Sequence, residues 1–311
     1  GVPSCWELQS FGKYDYGFAK DSLRGKESGL YRKTFSVPQS WKGKVIHIVF
    51  EGVMTDAEVK INGKVAGPKH QGAFYAFKYD ISKLLKYGAD NILEVKVDKH
   101  SANKSVNAAE READYWIFGG IFRPVWLEVL PVTHISGLAV DAKMDGVFNA
   151  NININGKADK ATIQLFDING KQVGSDVQGL ISGGFARFNT RFDRIAQWTS
   201  ESPNLYKAVF SIYKNDQLVH RVDKKIGFRT VEVRQRDGIY VNGVKMKFKG
   251  VNRHSFRPES GRTTSYKNSV EDVLLIKEMN MNAVRMSHYP PDGHFLDVCD
   301  SLGLYVIDEL A

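Results

Sequence analysis

Histidine, arginine, asparagine and carboxylate side chains gather at three places in the last third of this 311-residue chain, each time directly after a short apolar run. Met246 to Val251 leads into Asn252, Arg253 and His254. Asn282 to Met286 carries Arg285 and leads into Ser287, His288 and Tyr289, and Leu304 to Ile307 ends in Asp308 and Glu309. Imidazole, guanidinium and carboxylate groups can hold a polar ligand by hydrogen bonds, and carboxyls and imidazoles can also move protons. A solvated loop needs no such concentration.

Two amphipathic stretches separate the runs. The first is expected to open at Asn268, with Glu271 three residues on as in a capping box, and carries Val270, Val273, Leu274, Ile276 and Met279. The second runs from about Asp292 to Leu302, with Phe295, Val298, Cys299 and Leu302 on one face and Gly303 as its stop. Strand, helix, strand, helix, strand with short connections predicts parallel βα units, whose loops beyond the strand ends form active sites in both open sheets and closed barrels. No glycine-rich phosphate loop follows any strand, so the barrel is the better reading.

These words, in this order and spacing, resemble the start of the barrel domain of family 2 glycoside hydrolases, which holds β-galactosidases, β-glucuronidases and β-mannosidases. The resemblance rests on Gly250-Val251-Asn252-Arg253-His254, on Asn282-Ala283-Val284-Arg285-Met286-Ser287-His288-Tyr289-Pro290 and on Gly303-Leu304-Tyr305-Val306-Ile307-Asp308-Glu309. It extends upstream to Asp114-Tyr115-Trp116 with Gly120-Ile121-Phe122-Arg123-Pro124-Val125, and to Phe50-Glu51-Gly52-Val53 with Ile61-Asn62-Gly63. It implies that His254 and His288 line a sugar pocket, that Asp114 reaches into it from the first domain, and that Arg285 lies near its floor. One departure is Ser255, where several β-galactosidases of the family have Glu; it leaves the sugar open.

The resemblance further implies a retaining β-glycoside hydrolase acting on a terminal β-linked sugar, with a β-galactosidase as the leading expectation. Such enzymes use two carboxyl groups roughly 5 Å apart. In the family both glutamates, the acid/base and the nucleophile, follow later barrel strands and are expected beyond Ala311. None of the present residues is therefore expected to be catalytic, and these 311 residues alone are expected to be inactive. A complete barrel takes about 250 residues, and the segment from 235 onward would be its first three strands. Glu309 as a catalytic carboxylate is the minor alternative to Glu309 holding an arginine or a loop. His254 and His288 as metal ligands lack a third partner at recognisable spacing, so no metal site or cofactor is expected here, although some family members use Mg²⁺ or Na⁺. His294 reads as a surface residue.

Upstream, residues 1–130 read as an all-β jelly-roll sandwich, 131–234 as an immunoglobulin-like β-sandwich, and 235–311 as the first βα units of a truncated (β/α)8 barrel. In the first, Tyr31–Val37, Val45–Phe50, Ala57–Ile61, Ala73–Tyr79 and Ile92–Val97 are strand-length runs, and Asn62-Gly63 signals a type I′ hairpin. In the second, the runs are Asn151–Ile154, Ala161–Phe166, Ala186–Phe192 and Lys207–Tyr213, with turns at Asn169-Gly170 and Asn215-Asp216; Arg229 to Gly238 reads as the linker to the barrel. Sandwiches of the first kind often bind sugars on aromatic surface. Trp6, Trp41, Tyr75 and Trp116 are the candidates, with core packing the favoured role, and a non-catalytic carbohydrate-binding module is the alternative function.

The net charge of +8 invites a nucleic-acid reading. The excess lies in the first 234 residues, where lysines such as Lys44, Lys60, Lys78 and Lys96 are scattered along alternating strands, and no basic-aromatic module stands out. The expected partner is therefore an oligosaccharide or β-glycoside, with no nucleic acid and no membrane, since no apolar run approaches a membrane span. Homo-oligomerisation is left open. Gly1-Val2-Pro3 shows no signal peptide but begins abruptly, as if something upstream had been removed, and a periplasmic or secreted location ranks ahead of a cytoplasmic one. Cys5 and Cys299 fall in different domains and read as buried free thiols.

Overall fold

Alternating apolar and polar residues along the first 130 positions place one face of each strand inward, and two antiparallel sheets result. The computed structural model describes residues 1–20 and 25–310. Ala311, beyond which the acid/base and nucleophile glutamates are expected, lies outside the described residues. One sheet orders Ser28–Ser36, Asp90–Asp98, Asp56–Ile61 and Lys64–Val65; the other orders Phe77–Asp80, Val45–Phe50 and Val125–Leu130. Between them lie Ile46, Ile48, Phe50, Val59, Ile61, Val95 and Val97, all nearly inaccessible to solvent. Asn62 and Gly63 have φ of 53° and 78°, as the predicted hairpin turn requires. The strand expected over Ala73–Tyr79 begins only at Phe77. Ala73 and Phe74 instead leave the sheet to pack at a domain junction.

The second region is a sandwich of two four-stranded antiparallel sheets. His134–Ala142, Val147–Asn155, Phe185–Arg191 and Leu180–Ser182 form one; Val177–Gln178, Lys160–Phe166, Tyr206–Lys214 and Gln217–Ile226 form the other. Phe148, Ile152, Ile163, Phe210 and Phe228 fill the space between them. Arg229 to Gly238 is not a plain linker. Val231–Arg234 pairs with Gly238–Val241, which pairs in turn with Val244–Lys245, so that hydrogen bonds of a small antiparallel sheet occupy the connection.

Gly250–Arg253, Ala283–Met286 and Tyr305–Ile307 then form a parallel three-stranded sheet in that order, with Val251 opposite Val284 and Val284 opposite Val306. The first strand starts four residues later than its apolar run because Met246 and Phe248 pack instead at the junction with the second sandwich, beside Trp198, Ala283 and Tyr305. Two helices, Tyr266–Glu278 and Gly293–Leu302, cover the sheet through Val273, Ile276, Phe295, Val298 and Cys299. The first helix is capped by Ser265 rather than Asn268. The Ser265 hydroxyl accepts from the Asn268 N–H at 3.2 Å while the Asn268 side chain accepts from the Ser265 N–H at 3.0 Å, so the earlier start satisfies two donors at once. A seven-residue helix over Lys104–Glu110, capped by Asn103, was not foreseen.

Side chains tie the barrel segment to both sandwiches. Arg123 meets Asp292 at 3.0 Å and donates to the carbonyls of Phe74 and Pro290. On the other side, the Trp198 indole donates to the Asp300 carbonyl at 2.8 Å, and Lys277 donates to the carbonyls of Ser200 and Gly303. Cys5 and Cys299 are buried free thiols in separate apolar clusters, the first at the junction with Phe74 and Tyr289 and the second on the sheet-facing side of the second barrel helix.

Candidate functional site

Successive side chains of a strand point to opposite faces, and the end of the first barrel strand shows the consequence. Arg253 turns into the helical layer, where it lies 4.0 Å from the Phe295 ring centroid and pairs with Asp272 at 2.7 Å. His254 turns the other way. Its Nδ1 stands 3.1 Å from the Tyr289 hydroxyl, and its ring centre is 5.5 Å from that of His288. Two imidazoles far apart in sequence are thus neighbours, because adjacent parallel strands end level with one another.

A cavity of about 250 Å³ opens at this point between the first sandwich and the barrel strand ends. Tyr16, Asp114, Tyr115 and Trp116 supply one wall; His254, Phe256, Arg262 and Tyr289 supply the other. Asp114 is the one carboxylate in this lining among the described residues. The volume is small beside the ~300–1,000 Å³ of ordinary ligand pockets and suits a single ring-sized unit. Aromatic faces with a carboxylate and imidazoles around them are what a pyranose requires: apolar C–H surface to stack and hydroxyls to hydrogen-bond.

Beneath the cavity lies a buried cation. Arg262 is only 3% exposed, and its guanidinium carbon sits 4.3, 4.6 and 5.7 Å from the ring centres of Tyr289, Tyr115 and Phe74. It donates to the Trp116 carbonyl at 3.2 Å. Attraction to three π faces offsets the desolvation of this buried charge. A second arginine, Arg111, is also buried and donates to the Phe118 carbonyl; burial pushes its pKa down to about 10.

Burial lowers the pKa of His254 below its ordinary value; the charges of Arg262 and His288 lower it further, and Asp114 opposes them. His254 is therefore neutral near pH 7 and able both to accept and to donate. Tyr115 is raised by its burial and stays a neutral hydroxyl, which donates to the Glu110 carbonyl at 2.9 Å.

Of the residues expected from sequence, Asp114 and His254 line one cavity and His288 stands beside it. Arg285 is not in this cavity's lining; it lies on the second barrel strand with 38% of its side chain exposed, where its guanidinium pairs with Glu309 and reaches Asn252. His294 is half-buried and bonds Ser269 at 2.9 Å rather than facing solvent freely. Ser255 is 1% exposed and accepts from Arg253, so the position where the resemblance departs points away from the cavity. Among the aromatics, Trp6 is core, Trp41 packs against the first core, Tyr75 is exposed, and Trp116 lies at the cavity. Sequence reasoning missed Arg262, Tyr16, Phe118 and Phe256. Nothing in their local sequence distinguishes them: Tyr16 reaches the cavity on a two-residue strand, Asp15–Tyr16, paired with Trp116–Ile117, and Phe256 and Arg262 reach it in the connection after the first barrel strand.

The architecture is therefore two sandwiches docked on a parallel βα segment, with a small cavity lined by Asp114 and His254 where the first sandwich meets the strand ends. Family models agree along nearly the whole length: the sugar binding domain of glycosyl hydrolases family 2 matches residues 1–131, a second domain of that family matches 133–229, and its TIM barrel domain matches 231–311. The chain belongs to glycoside hydrolase family 2. It is 34% identical over 292 residues to a β-galactosidase of Thermoanaerobacter pseudethanolicus, covering 90% of this chain and 39% of that protein. It is 32% identical to a putative β-glucuronidase of Formosa agariphila, covering 92% of this chain and 35% of that protein. A β-glycosidase from Bacteroides vulgatus superposes with a TM-score of 0.81 at 27% identity, over 100% of this chain and 40% of that one. The chain thus spans well under half the length of these relatives.

Proposed function

We propose that these residues are the amino-terminal portion of a retaining β-glycosidase, with a terminal β-galactoside as its first-choice substrate, and that Asp114, His254 and His288 hold the non-reducing sugar. The carrying observation is the cavity itself: a carboxylate from the first sandwich and an imidazole from the first barrel strand face one small aromatic-walled space. Among the described residues the lining has one carboxylate, whereas the reaction needs an acid and a nucleophile about 5 Å apart. The reading therefore places hydrolysis in a longer polypeptide carrying two further glutamates, which the chain's coverage of only 39% of a β-galactosidase relative supports.

The carbohydrate-module alternative needs an exposed aromatic sheet face. Of its four candidates, Trp6 is buried and Trp41 half-buried, and the two exposed ones, Tyr75 and Trp116, lie outside the sheets' long strands, Trp116 at the cavity itself, which favours the glycosidase reading. The test is hydrolysis of aryl β-glycosides. The longer polypeptide is expected to cleave the β-galactoside with retention, and Asp114→Ala is expected to lower kcat/KM by roughly 10–100-fold, the worth of a charged hydrogen bond. The 311 residues alone are expected to show no turnover. Robust turnover by the 311 residues would refute the placement of the catalytic pair elsewhere, and cleavage of the glucuronide with the galactoside untouched would overturn the choice of sugar.

A further inference from the structure

The ends of the three barrel strands carry a network centred on Glu309, a residue that the sugar-binding reading does not use. Glu309 follows the third strand, and its Oε1 lies 3.1 Å from His288 Nδ1. Its Oε2 pairs with the Arg285 guanidinium, and Arg285 also reaches the Asn252 side chain at 3.4 Å. Arg285 lies in register between Asn252 of the first strand and Ile307 of the third, so all three strands contribute. The carboxylate is only partly exposed, with 28% of its side chain accessible.

We propose that Glu309 is a positioning residue: it fixes His288 with its proton on Nδ1 and its Nε2 free to act as a hydrogen-bond acceptor, and Arg285 holds the carboxylate in place. An ionised carboxylate has only acceptor capacity, so the nitrogen facing it must carry hydrogen. The tautomer of a neutral imidazole is set by the partner of its other nitrogen. His288 then accepts a hydrogen bond from a ligand hydroxyl and cannot donate one through Nε2 unless it becomes charged. His254 is not constrained in this way, because the Tyr289 hydroxyl beside its Nδ1 can donate or accept. The two rings, 5.5 Å apart, therefore offer different hydrogen-bonding characters to one ligand. The use of His288 by a sugar rests on the function proposed above; the tautomer does not.

The test is long-range ¹H–¹⁵N correlation of ¹⁵N-histidine-labelled protein at a pH where the imidazoles are neutral. His288 is expected to show protonated Nδ1 in the unaltered chain. Glu309→Gln, whose amide oxygen still accepts, is expected to keep that pattern, whereas Glu309→Ala is expected to move the proton to Nε2. A His288 already protonated on Nε2, or a pattern unmoved by Glu309→Ala, would overturn the proposal. In the longer polypeptide, Glu309→Ala is expected to lower kcat/KM for an aryl β-galactoside by roughly 10-fold, with Glu309→Gln recovering most of it; unchanged rates despite a moved proton would overturn the positioning role. Absence of β-glycosidase activity from the unaltered polypeptide, with the Nδ1 pattern present, would sink the glycosidase reading and leave the tautomer assignment standing.

Discussion

Arg123 of the first sandwich and Asp292, the residue before the second barrel helix, form an ion pair at 3.0 Å in which the two side chains are only 5% and 4% exposed. Asp292 also accepts from the Thr264 hydroxyl at 2.8 Å. The pair ties the wall bearing Asp114 to the wall bearing His254. Removing one member leaves a charge buried without its partner, and such losses cost about 3–5 kcal/mol. Asp292→Asn is therefore expected to lower the urea midpoint markedly. Asp223→Asn, which breaks the exposed Arg221–Asp223 pair at 48% and 40% side-chain exposure, is expected to change stability by less than about 1 kcal/mol.

The pH response of His254 has a definite sign. Its pKa in the folded chain lies below the ordinary 6.5, through burial first and then the charges of Arg262 and His288. As pH falls below 6.5 the unfolded chain binds a proton that the folded chain resists, so this residue's contribution destabilises progressively until its folded pKa is passed. Asp114 works in the opposite direction. NMR titration is expected to place His254 below 6.5, to place it lower still in Asp114→Asn, and to raise it in Arg262→Gln. An upward shift in Asp114→Asn would contradict the arrangement.

Gly303 ends the second barrel helix with φ of 78°, and a Cβ there would fall 2.3 Å from the Ser200 carbonyl oxygen of the second sandwich. Two constraints coincide: left-handed backbone and close approach between domains. Gly303→Ala is expected to destabilise by about 1–3 kcal/mol and to loosen the seam made by Lys277 and Trp198. Denaturant unfolding measures the first, and faster hydrogen exchange at the Trp198 indole measures the second.

The barrel segment was legible because apolar runs bounded by chemically useful residues leave few alternatives. The helix over Gly293–Leu302 falls where its 3.6-residue stripe and terminal glycine place it, and Val45–Phe50 matches its strand residue for residue. Junctions were less legible. Ala73 and Phe74 look like strand but are recruited to pack near Tyr289, a residue remote from them in sequence. His134–Ala142 and Gln217–Ile226 are long strands too polar in part to declare themselves. Among residues of the candidate site, Asp114, His254 and His288 stand in motif words, whereas Arg262 was hidden because nothing local marks an arginine destined for burial between rings.

That arginine has a practical consequence for anyone shuffling modules. Two of the rings around Arg262, Phe74 and Tyr115, come from the first sandwich, and the third, Tyr289, follows the second barrel strand. A chimera that grafts a foreign sandwich onto this barrel would strip two ring faces from a buried cation that packs on Tyr289 and shares the cavity wall with His254. Module exchange in this chain is thus expected to succeed only where both halves of the enclosure travel together.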